Sequence, residues 1–203
     1  MDKQNEIFEE AARHCLKKLN NIDFLKNSEL LGAEVKDNSL VISLYGQFHY
    51  VSIEGVKTQD GKSTNPAVSV LLLRYVLNCP DEIPPEGEWV TYREFEGAGV
   101  LSGHFTENTN KIIETSFSEK TDRLHHSAIH MGGIPFDDGS SFDVAIEFEA
   151  LPRIPVLLRF NDLDGLLPAQ CSILFRKSAE YFLDLKSLEV VGTLLAGKLI
   201  LNS

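Results

Sequence analysis

Apolar residues recur in the first segment of the chain with the spacing of one helix face. From Phe8, the next members of the stripe, Ala12, Cys15, Leu16 and Leu19, follow at offsets of four, seven, eight and eleven. This is the period of an amphipathic α-helix with one buried side. The pattern predicts a helix from about residue 3 to residue 19.

The period changes to two after residue 34. Leu40, Ile42 and Leu44 alternate with polar or small neighbours, and β-rich residues continue beyond Gly46. Alternation of this kind is typical of a strand with one buried face. The segment predicts two strands, with turns at Asp37-Asn38 and at residues 59–61.

A second helix is predicted to begin at Asn65-Pro66. Asparagine accepts hydrogen bonds from the first amides of a helix, and proline fits the first helical position because it has no N–H to leave unpaired. The residues that follow, AVSVLLLRYVLN, are apolar on nearly all sides. We therefore expect a central buried helix from which Arg74 reaches outward, ended by Cys79-Pro80.

The second half of the chain alternates between strand and helix patterns. Strands are predicted at residues 89–95, 142–149, 155–161 and 169–175, short helices at 106–118 and 119–131, and a turn at NDLDG. Gly132-Gly133 is predicted to end the second of these helices. Ser178 and Ser187 are candidate N-caps of two closing helices. The pattern predicts an α+β fold: a single domain over residues 1–203 with a mainly antiparallel sheet flanked by helices.

Composition and charge narrow the classes of function. The 203 residues are 43% hydrophobic, enough for one substantial core, and the formal net charge is −11. A chain without a basic stripe lacks the electrostatic term that dominates nucleic-acid affinity, so nucleic acids and anionic membranes are excluded as expected partners. The acidic amphipathic N-terminus does not resemble a signal peptide, and no apolar run reaches transmembrane length. We expect a soluble, cytoplasmic protein.

The three cysteines predict no metal cluster or disulfide framework. Cys15, Cys79 and Cys171 are far apart, and none belongs to a CxxC pair. Free cysteines are commonly buried as small apolar side chains. Three reduced, partly buried thiols are the expected state.

Several phrases of the sequence resemble a known family. They are SVLLLRYVL, GEWVTYREFEGAGV, and the segment from ALPRIPVLLRF to the final helix. The W-x-x-Y-R-E pattern before a glycine cluster is the most specific of them, and the closing pattern from Pro168 to Leu183 is also similar. Together they resemble the bacterial and archaeal family called domain of unknown function 3786, over residues 32 to 200.

The resemblance implies a metabolic setting without assigning a reaction. Some relatives join this domain to a four-cysteine iron–sulfur segment of the kind found in corrinoid proteins of anaerobic one-carbon metabolism. The present chain has no such segment, so the resemblance transfers no catalytic residue. It implies a corrinoid or iron–sulfur protein as a partner. The cofactor is left unassigned, with a corrinoid or a divalent metal as the candidates.

The glycine cluster after the WVTYREF segment is not a nucleotide-binding loop. A dinucleotide fingerprint would need a third glycine at the position of Ser102, and a Walker loop would need Lys after Gly103, where this chain has His104. A turn after an edge strand explains the glycines. Glycines also let backbone amides approach an anion closely, so a ligand-binding edge is the alternative.

The candidate ligand-binding residues surround this cluster. Arg93 offers a bidentate charge for a carboxylate or phosphate, although in so acidic a chain a salt bridge to an acidic side chain is its more common role. His104 follows the glycines, and it and His49 are otherwise expected to be packed or hydrogen-bonded. The predicted ligand-binding set comprises Arg93, Gly97, Gly99, Gly103 and His104.

A second candidate site lies in DRLHHSAIHMGG. At helical spacing Leu124, Ala128 and Met131 form the stripe that faces the core, whereas Asp122, His126 and His130 fall on the opposite side. Histidines one turn apart can chelate a divalent metal, and Asp122 would complete three ligands. A solvated histidine stripe near a helix C-terminus is the alternative. The HExxH motif is absent because Ser127 stands in the place of the glutamate.

Three hypotheses of function follow. The first is a non-catalytic small-ligand or cofactor-binding accessory module linked to metallocofactor or corrinoid metabolism. The second is a protein-interaction or assembly module without a small ligand, which includes a homo-oligomer. The third is a metal-dependent enzyme that uses the face of Asp122, His126 and His130.

The segment NDLDG does not continue as a calcium-binding loop. Counted from Asp162, the position that requires glutamate in such a loop is occupied by Ile173.

Overall fold

The structure, a computed structural model, describes residues 3–137, 139–165 and 167–203. Its α-helices are α1 (Lys3–Leu19), α2 (Phe24–Leu31), α3 (Pro66–Leu77), α4 (Ser102–Phe105), α5 (Lys111–Phe117), α6 (Thr121–His130) and α7 (Leu185–Leu201). Short 3-10 helices cover Tyr92–Glu94, Ala98–Val100 and Lys177–Tyr181, and a π-helical turn covers Thr106–Asn110.

The strands form two antiparallel sheets. The first contains β1 (Glu34–Lys36), β2 (Ser39–Leu44), β3 (Gln47–Ser52) and β4 (Gly55–Thr58), paired in chain order. The second contains β5 (Trp89–Thr91), β6 (Ile134–Pro135), β7 (Val144–Leu151), β8 (Ile154–Asn161) and β9 (Gln170–Arg176), paired in the order β5-β9-β8-β7-β6. The predicted α+β class with antiparallel pairing is confirmed, and the helices flank two sheets.

Turn chemistry explains why the first sheet has four strands where the pattern predicted two. Asp37 and Asn38 both have positive φ, 47° and 59°, which is the backbone of a two-residue hairpin loop. Tyr45 and Gly46 form a second turn of this kind, with φ angles of 49° and 74°. The turn at Asp37-Asn38 was predicted, whereas Tyr45-Gly46 lies between apolar residues and carries little turn signal, so β2 and β3 resemble one continuous run in the sequence.

The two helices predicted in the first half are confirmed. The Asn65 side chain accepts a hydrogen bond from the Ala67 N–H at 2.9 Å, and Pro66 is the first residue of α3. Buried apolar residues cover most of α3, and α1 packs against it. Arg74 reaches outward as expected and forms an ion pair with Asp184 at 2.8 Å.

One continuous apolar core contains residues of both sheets, α3 and α7. Tyr45 connects these layers, because its N–H donates to the Ala150 carbonyl at 2.9 Å and its hydroxyl donates to the Val191 carbonyl at 3.0 Å. Burial raises the pKa of Tyr45, so the hydroxyl keeps its proton and remains a donor. The assignment of a single domain stays a prediction, and a shared core accords with it.

The closing helices do not begin where their serines predicted. Ser178 lies inside the 3-10 helix that follows Arg176, and Ser187 lies in the first turn of α7. The N-cap of α7 is Asp184, whose carboxylate accepts from the Ser187 N–H at 2.8 Å. Aspartate is as good a cap as serine, and it lies three residues before the serine that the pattern favoured.

Gly132-Gly133 ends α6 as predicted. Gly132 has φ 83°, its N–H donates to the Ile129 carbonyl, and the Gly133 N–H donates to the Ala128 carbonyl, both at 2.9 Å. This pair of bonds defines a Schellman motif, which requires a left-handed residue at the first glycine. Gly133 is needed for space, since a Cβ there would lie 2.5 Å from Ile146 Cγ2.

His49 is a packed, hydrogen-bonded residue. It lies in β3 at 4% exposure, and its Nδ1 is 2.9 Å from the Gln47 carbonyl oxygen. Burial lowers the pKa of His49, the bond to Gln47 opposes the shift, and the nearby positive charge of Lys198 adds to it. The folded protein therefore disfavours the imidazolium.

Acid should destabilise the protein through His49. The unfolded histidine takes up a proton below about pH 6.5, and the folded one only at lower pH, so the free energy of unfolding falls as pH drops through this window. The loss is at most about 1.4 kcal/mol per pH unit, the limit for one proton. His49→Gln should flatten this part of the curve in urea unfolding between about pH 7.5 and 5.5. Identical slopes in both proteins would contradict the assignment.

No described helix is long and apolar enough to cross a membrane.

All three cysteines are free thiols. Cys15 and Cys171 are buried, and Cys79 is half-buried. Burial raises the pKa of the Cys171 thiol well above its usual value, and the negative charge of Glu114 adds to the shift. Cys171 is thus an uncharged core side chain.

Candidate functional site

The segment WVTYRE leaves its sheet after three residues. β5 is an edge strand that pairs with β9 only through Trp89, Val90 and Thr91. Glu94 then turns back, and its carboxylate accepts from the Thr91 N–H at 2.7 Å and the Thr91 hydroxyl at 2.8 Å. These bonds lower the pKa of Glu94 and hold the 3-10 turn. The strand predicted over residues 89–95 is therefore wrong beyond residue 91.

Trp89 and Tyr92 fix the segment to the rest of the fold. The Arg176 guanidinium lies over the Trp89 ring, 4.1 Å from its centroid. Tyr92 is buried, stacks on Phe105 with ring centroids 4.3 Å apart, and donates its hydroxyl to the Leu185 carbonyl at 3.0 Å. Burial raises the pKa of Tyr92 to about 12, with smaller effects from Glu189 and Asp184. The hydroxyl is therefore a permanent donor.

The glycine cluster is a turn that leads into α4. Gly97 has φ 77° and needs to be glycine for that reason. Gly99 and Gly103 have open space where a Cβ would lie. The Ser102 hydroxyl donates to the Gly99 carbonyl at 2.9 Å and closes the turn.

A π-helical turn interrupts the helix that follows. α4 and α5 form one helical stretch, and between them the Lys111 N–H donates to the Thr106 carbonyl, five residues earlier. α7 packs against this turn at Gly192, where a Cβ would lie 2.6 Å from Phe105 Cε2 and 3.2 Å from Thr109 Cγ2. Single π-helical turns occur frequently at functional sites.

A pocket of about 350 Å³ lies between this helical stretch and the end of β5. Its volume is within the range of small-molecule sites. Gly103, Thr106, Glu107 and Asn110 supply one wall at i, i+3, i+4 and i+7 of the helical stretch. The remaining lining residues are Thr91, Tyr92, Arg93, Ser102, Phe105, Ser172 and Ile173. We call this the Arg93 pocket.

The pocket exists because β5 is shorter than β9, the strand with which it pairs. The last pair between β5 and β9 is Thr91 with Leu174, so Ser172 and Ile173 lie beyond the end of the edge strand. Glu114 covers the next part of this β9 edge, because its carboxylate accepts from the Cys171 N–H at 2.9 Å. The pocket thus lies beside the part of the β9 edge that neither pairs with β5 nor is covered by α5.

No hydrogen bond or ion pair within the described part of the chain holds the charged residues of the Arg93 pocket, although Lys111 attracts Glu107 electrostatically. Arg93 and Glu107 are exposed, and neither makes a hydrogen bond or an ion pair there. Among the described residues, Arg93 therefore does not form the salt bridge that was its alternative role. The Asn110 Oδ1 is closed to solvent and also lacks a donor. A buried amide oxygen without a donor costs about 1–3 kcal/mol.

The predicted ligand-binding residues separate into two groups. Arg93 and Gly103 line the pocket, whereas Gly97, Gly99 and His104 do not. The His104 side chain instead bonds to Glu189 of α7 through Nδ1.

Sequence reasoning missed the pocket residues Glu107, Asn110 and Ser172. The polar stripe from Gly103 to Asn110 is visible at helical spacing, and that signal could have identified the first two. Ser172 carries no such signal, because its place beside the pocket results from long-range strand pairing.

The predicted metal face lies on the exposed side of α6. Asp122, His126 and His130 are exposed, and Leu124 and Ala128 face the core as expected. Among the described residues, no group of three His, Cys, Asp or Glu side chains is arranged to hold a metal ion. The metal-binding role of these three residues stays a prediction.

Fold and pocket together define an α+β protein with a small, mixed-charge pocket at the end of an edge strand. The chain belongs to the family described as Domain of unknown function (DUF3786), whose sequence profile matches residues 23–198. That range includes both sheets and all residues of the Arg93 pocket. Neither the curated proteins nor the solved structures contain a match to the chain.

Proposed function

We propose that this chain is a non-catalytic accessory module that binds a small ligand with a carboxylate or phosphate group in the Arg93 pocket. The observation that carries the proposal is the unpaired guanidinium of Arg93. Of the four residues in the W-x-x-Y-R-E pattern, Trp89, Tyr92 and Glu94 each hold the local structure. Arg93 makes no hydrogen bond or ion pair with any described residue, so its guanidinium is left for another molecule.

The chemistry of the pocket favours binding over catalysis. A guanidinium recognises carboxylate and phosphate oxygens with two parallel hydrogen bonds. The hydroxyls of Thr91 and Ser102, which line the same pocket, are already committed to Glu94 and to the Gly99 carbonyl. These contacts make the walls rigid and leave no activated nucleophile among them.

The proposal keeps the link to metallocofactor or corrinoid metabolism that the family resemblance implies. A corrin ring with its side chains is much larger than a pocket of about 350 Å³. The link therefore runs through a corrinoid or iron–sulfur partner protein, while the pocket binds a smaller molecule. His104 lies outside the pocket and is not needed for this role.

Arg93→Ala should weaken ligand binding by about 10- to 100-fold, the effect of losing hydrogen bonds to a charged group. The probes are acetate, propionate, succinate, inorganic phosphate and the common L-amino acids, screened by thermal shift and titrated by calorimetry. At least one probe should raise the Tm of the wild-type protein in a concentration-dependent way. Arg93→Lys should retain part of the affinity, because it keeps the charge and loses the bidentate geometry.

Arg123→Ala is the matched control. It removes the same charge from an exposed position of α6 and should bind as the wild type does. The proposal fails if no probe shifts the Tm, or if Arg93→Ala binds as tightly as Arg123→Ala.

A protein-interaction module is the second candidate, and one surface favours it. Val100, at the tip of the glycine turn, is 93% exposed. Next to the turn, an apolar groove of about 490 Å³ is lined by Phe95, Leu101, Leu183, Leu185 and Leu188, among others. A stable oligomer in native mass spectrometry, together with no response to any probe, would favour this candidate.

A further inference from the structure

The Arg93 pocket contains one charge of each sign that no described residue pairs by a hydrogen bond or an ion pair. Arg93 and Glu107 both line it, yet no ion pair joins them. Lys111, one turn after Glu107, attracts that carboxylate electrostatically but forms its ion pair with Glu114, whose carboxylate lies 2.6 Å from the Lys111 Nζ. A ligand in the pocket therefore meets a cation and an anion that no other described residue pairs by a hydrogen bond or an ion pair.

We propose that the ligand is a zwitterion of the α-amino acid class, with its carboxylate on Arg93 and its ammonium group on Glu107. This inference rests on the proposed function and specifies the ligand for the same site. The ammonium group supplies the hydrogen-bond donors that the Glu107 carboxylate lacks, and the ligand carboxylate supplies the acceptors that Arg93 lacks. Both charges of the pocket are then paired by one molecule.

Glu107 also selects against other acids. A dicarboxylate or a phosphate dianion that reaches Arg93 brings a second negative charge into the same small pocket, where like charges repel. The protein as a whole has a formal net charge of −11, which opposes the approach of any anion. A zwitterion has no net charge, so it avoids this long-range repulsion while it still satisfies Arg93.

The lining provides room for an amino-acid side chain. Beside the two charged groups, the pocket is bounded by the rings of Tyr92 and Phe105 and by Ile173. The Tyr92 and Phe105 rings are stacked and buried, so they form a fixed apolar surface. Thr106 and Ser172 add hydroxyl groups that have no hydrogen-bond partner among the described residues. The surface suits a small or medium-sized uncharged side chain.

The test compares each L-amino acid that binds with the carboxylic acid that lacks its amino group, for example L-alanine with propionate or L-leucine with 4-methylpentanoate. By calorimetry, wild-type protein should bind the amino acid about 10- to 100-fold more tightly, since the second charge-assisted contact is lost in the acid. Glu107→Gln should remove this preference by weakening amino-acid binding. It should leave the affinity for the acid unchanged or increased, because the repulsive charge is gone.

Glu119→Gln is the matched control, since Glu119 is an exposed glutamate outside the pocket, and it should preserve the preference. If the simple acids bind in an Arg93-dependent way and no amino acid binds better, the zwitterion assignment is overturned and the proposed function stands. The zwitterion assignment is likewise overturned if Glu107→Gln keeps the full preference. If nothing in the panel binds, both proposals are overturned.

Discussion

Phe105→Ala should lower the free energy of unfolding by about 3–5 kcal/mol, as expected for removing a large side chain from a packed core. Phe105 is 2% exposed. Its ring stacks on Tyr92 at 4.3 Å and contacts Phe175 with centroids 6.1 Å apart. Since both neighbours belong to rigid elements, the space cannot close easily, and a cavity would remain. Chemical unfolding followed by circular dichroism measures the change.

Val100→Ala is the control for this prediction. Val100 lies a few residues before Phe105 but is 93% exposed, so its truncation should change the free energy of unfolding by less than about 0.5 kcal/mol. If Phe105→Ala proved as harmless as Val100→Ala, the ring would not occupy this core position. The Arg93 pocket would then lose the apolar wall on which its shape depends.

The sequence predicted the elements whose signals are local. The helix from Lys3 to Leu19 follows from its apolar stripe, and the helix after Asn65-Pro66 follows from its cap. The division of the strands into two sheets was not predictable in this way. Which strands pair depends on contacts distant in sequence, such as the bond from the Tyr45 N–H to the Ala150 carbonyl.

In the candidate site, too, the sequence identifies local chemistry but not the contacts between residues distant in the chain. Arg93 was selected from its chemistry and its place beside a glycine turn, and it does line the pocket. His104 was selected on the same grounds, but Glu189 of α7 binds its ring outside the pocket. The difference arises because the helical stretch that begins at Ser102 turns its Gly103 face to the pocket and His104 toward α7.

The π-helical turn is a further feature that no local pattern predicted. The segment TENTN is polar, and its pattern is typical of the start of an ordinary α-helix. The widened turn lies where Phe105 and Thr109 pack against Gly192 of α7, a contact between residues more than 80 positions apart in the chain. A glycine inside a helix is less favourable than alanine, but at position 192 it provides the space that Phe105 occupies.

Gly192→Ala and Gly197→Ala, both in α7, should therefore have opposite effects. Alanine is favoured over glycine in a helix by about 1 kcal/mol, and Gly197 has open space for the added methyl group, so Gly197→Ala should raise the free energy of unfolding by up to about that amount. At Gly192 the new Cβ would lie 2.6 Å from the Phe105 ring. Overpacking of this kind costs about 1–3 kcal/mol and should outweigh the gain in helix propensity.

A double-mutant cycle separates the steric cause from a general weakness of α7. In the Phe105→Ala background the ring is absent, so Gly192→Ala no longer meets an obstacle and its methyl group partly fills the cavity. The two substitutions should then be coupled favourably by about 0.5–3 kcal/mol relative to the sum of their separate effects. Gly197→Ala should add independently to Phe105→Ala. Strict additivity at Gly192 would mean that this glycine does not make room for Phe105, and that the π-helical turn beside the Arg93 pocket has another cause.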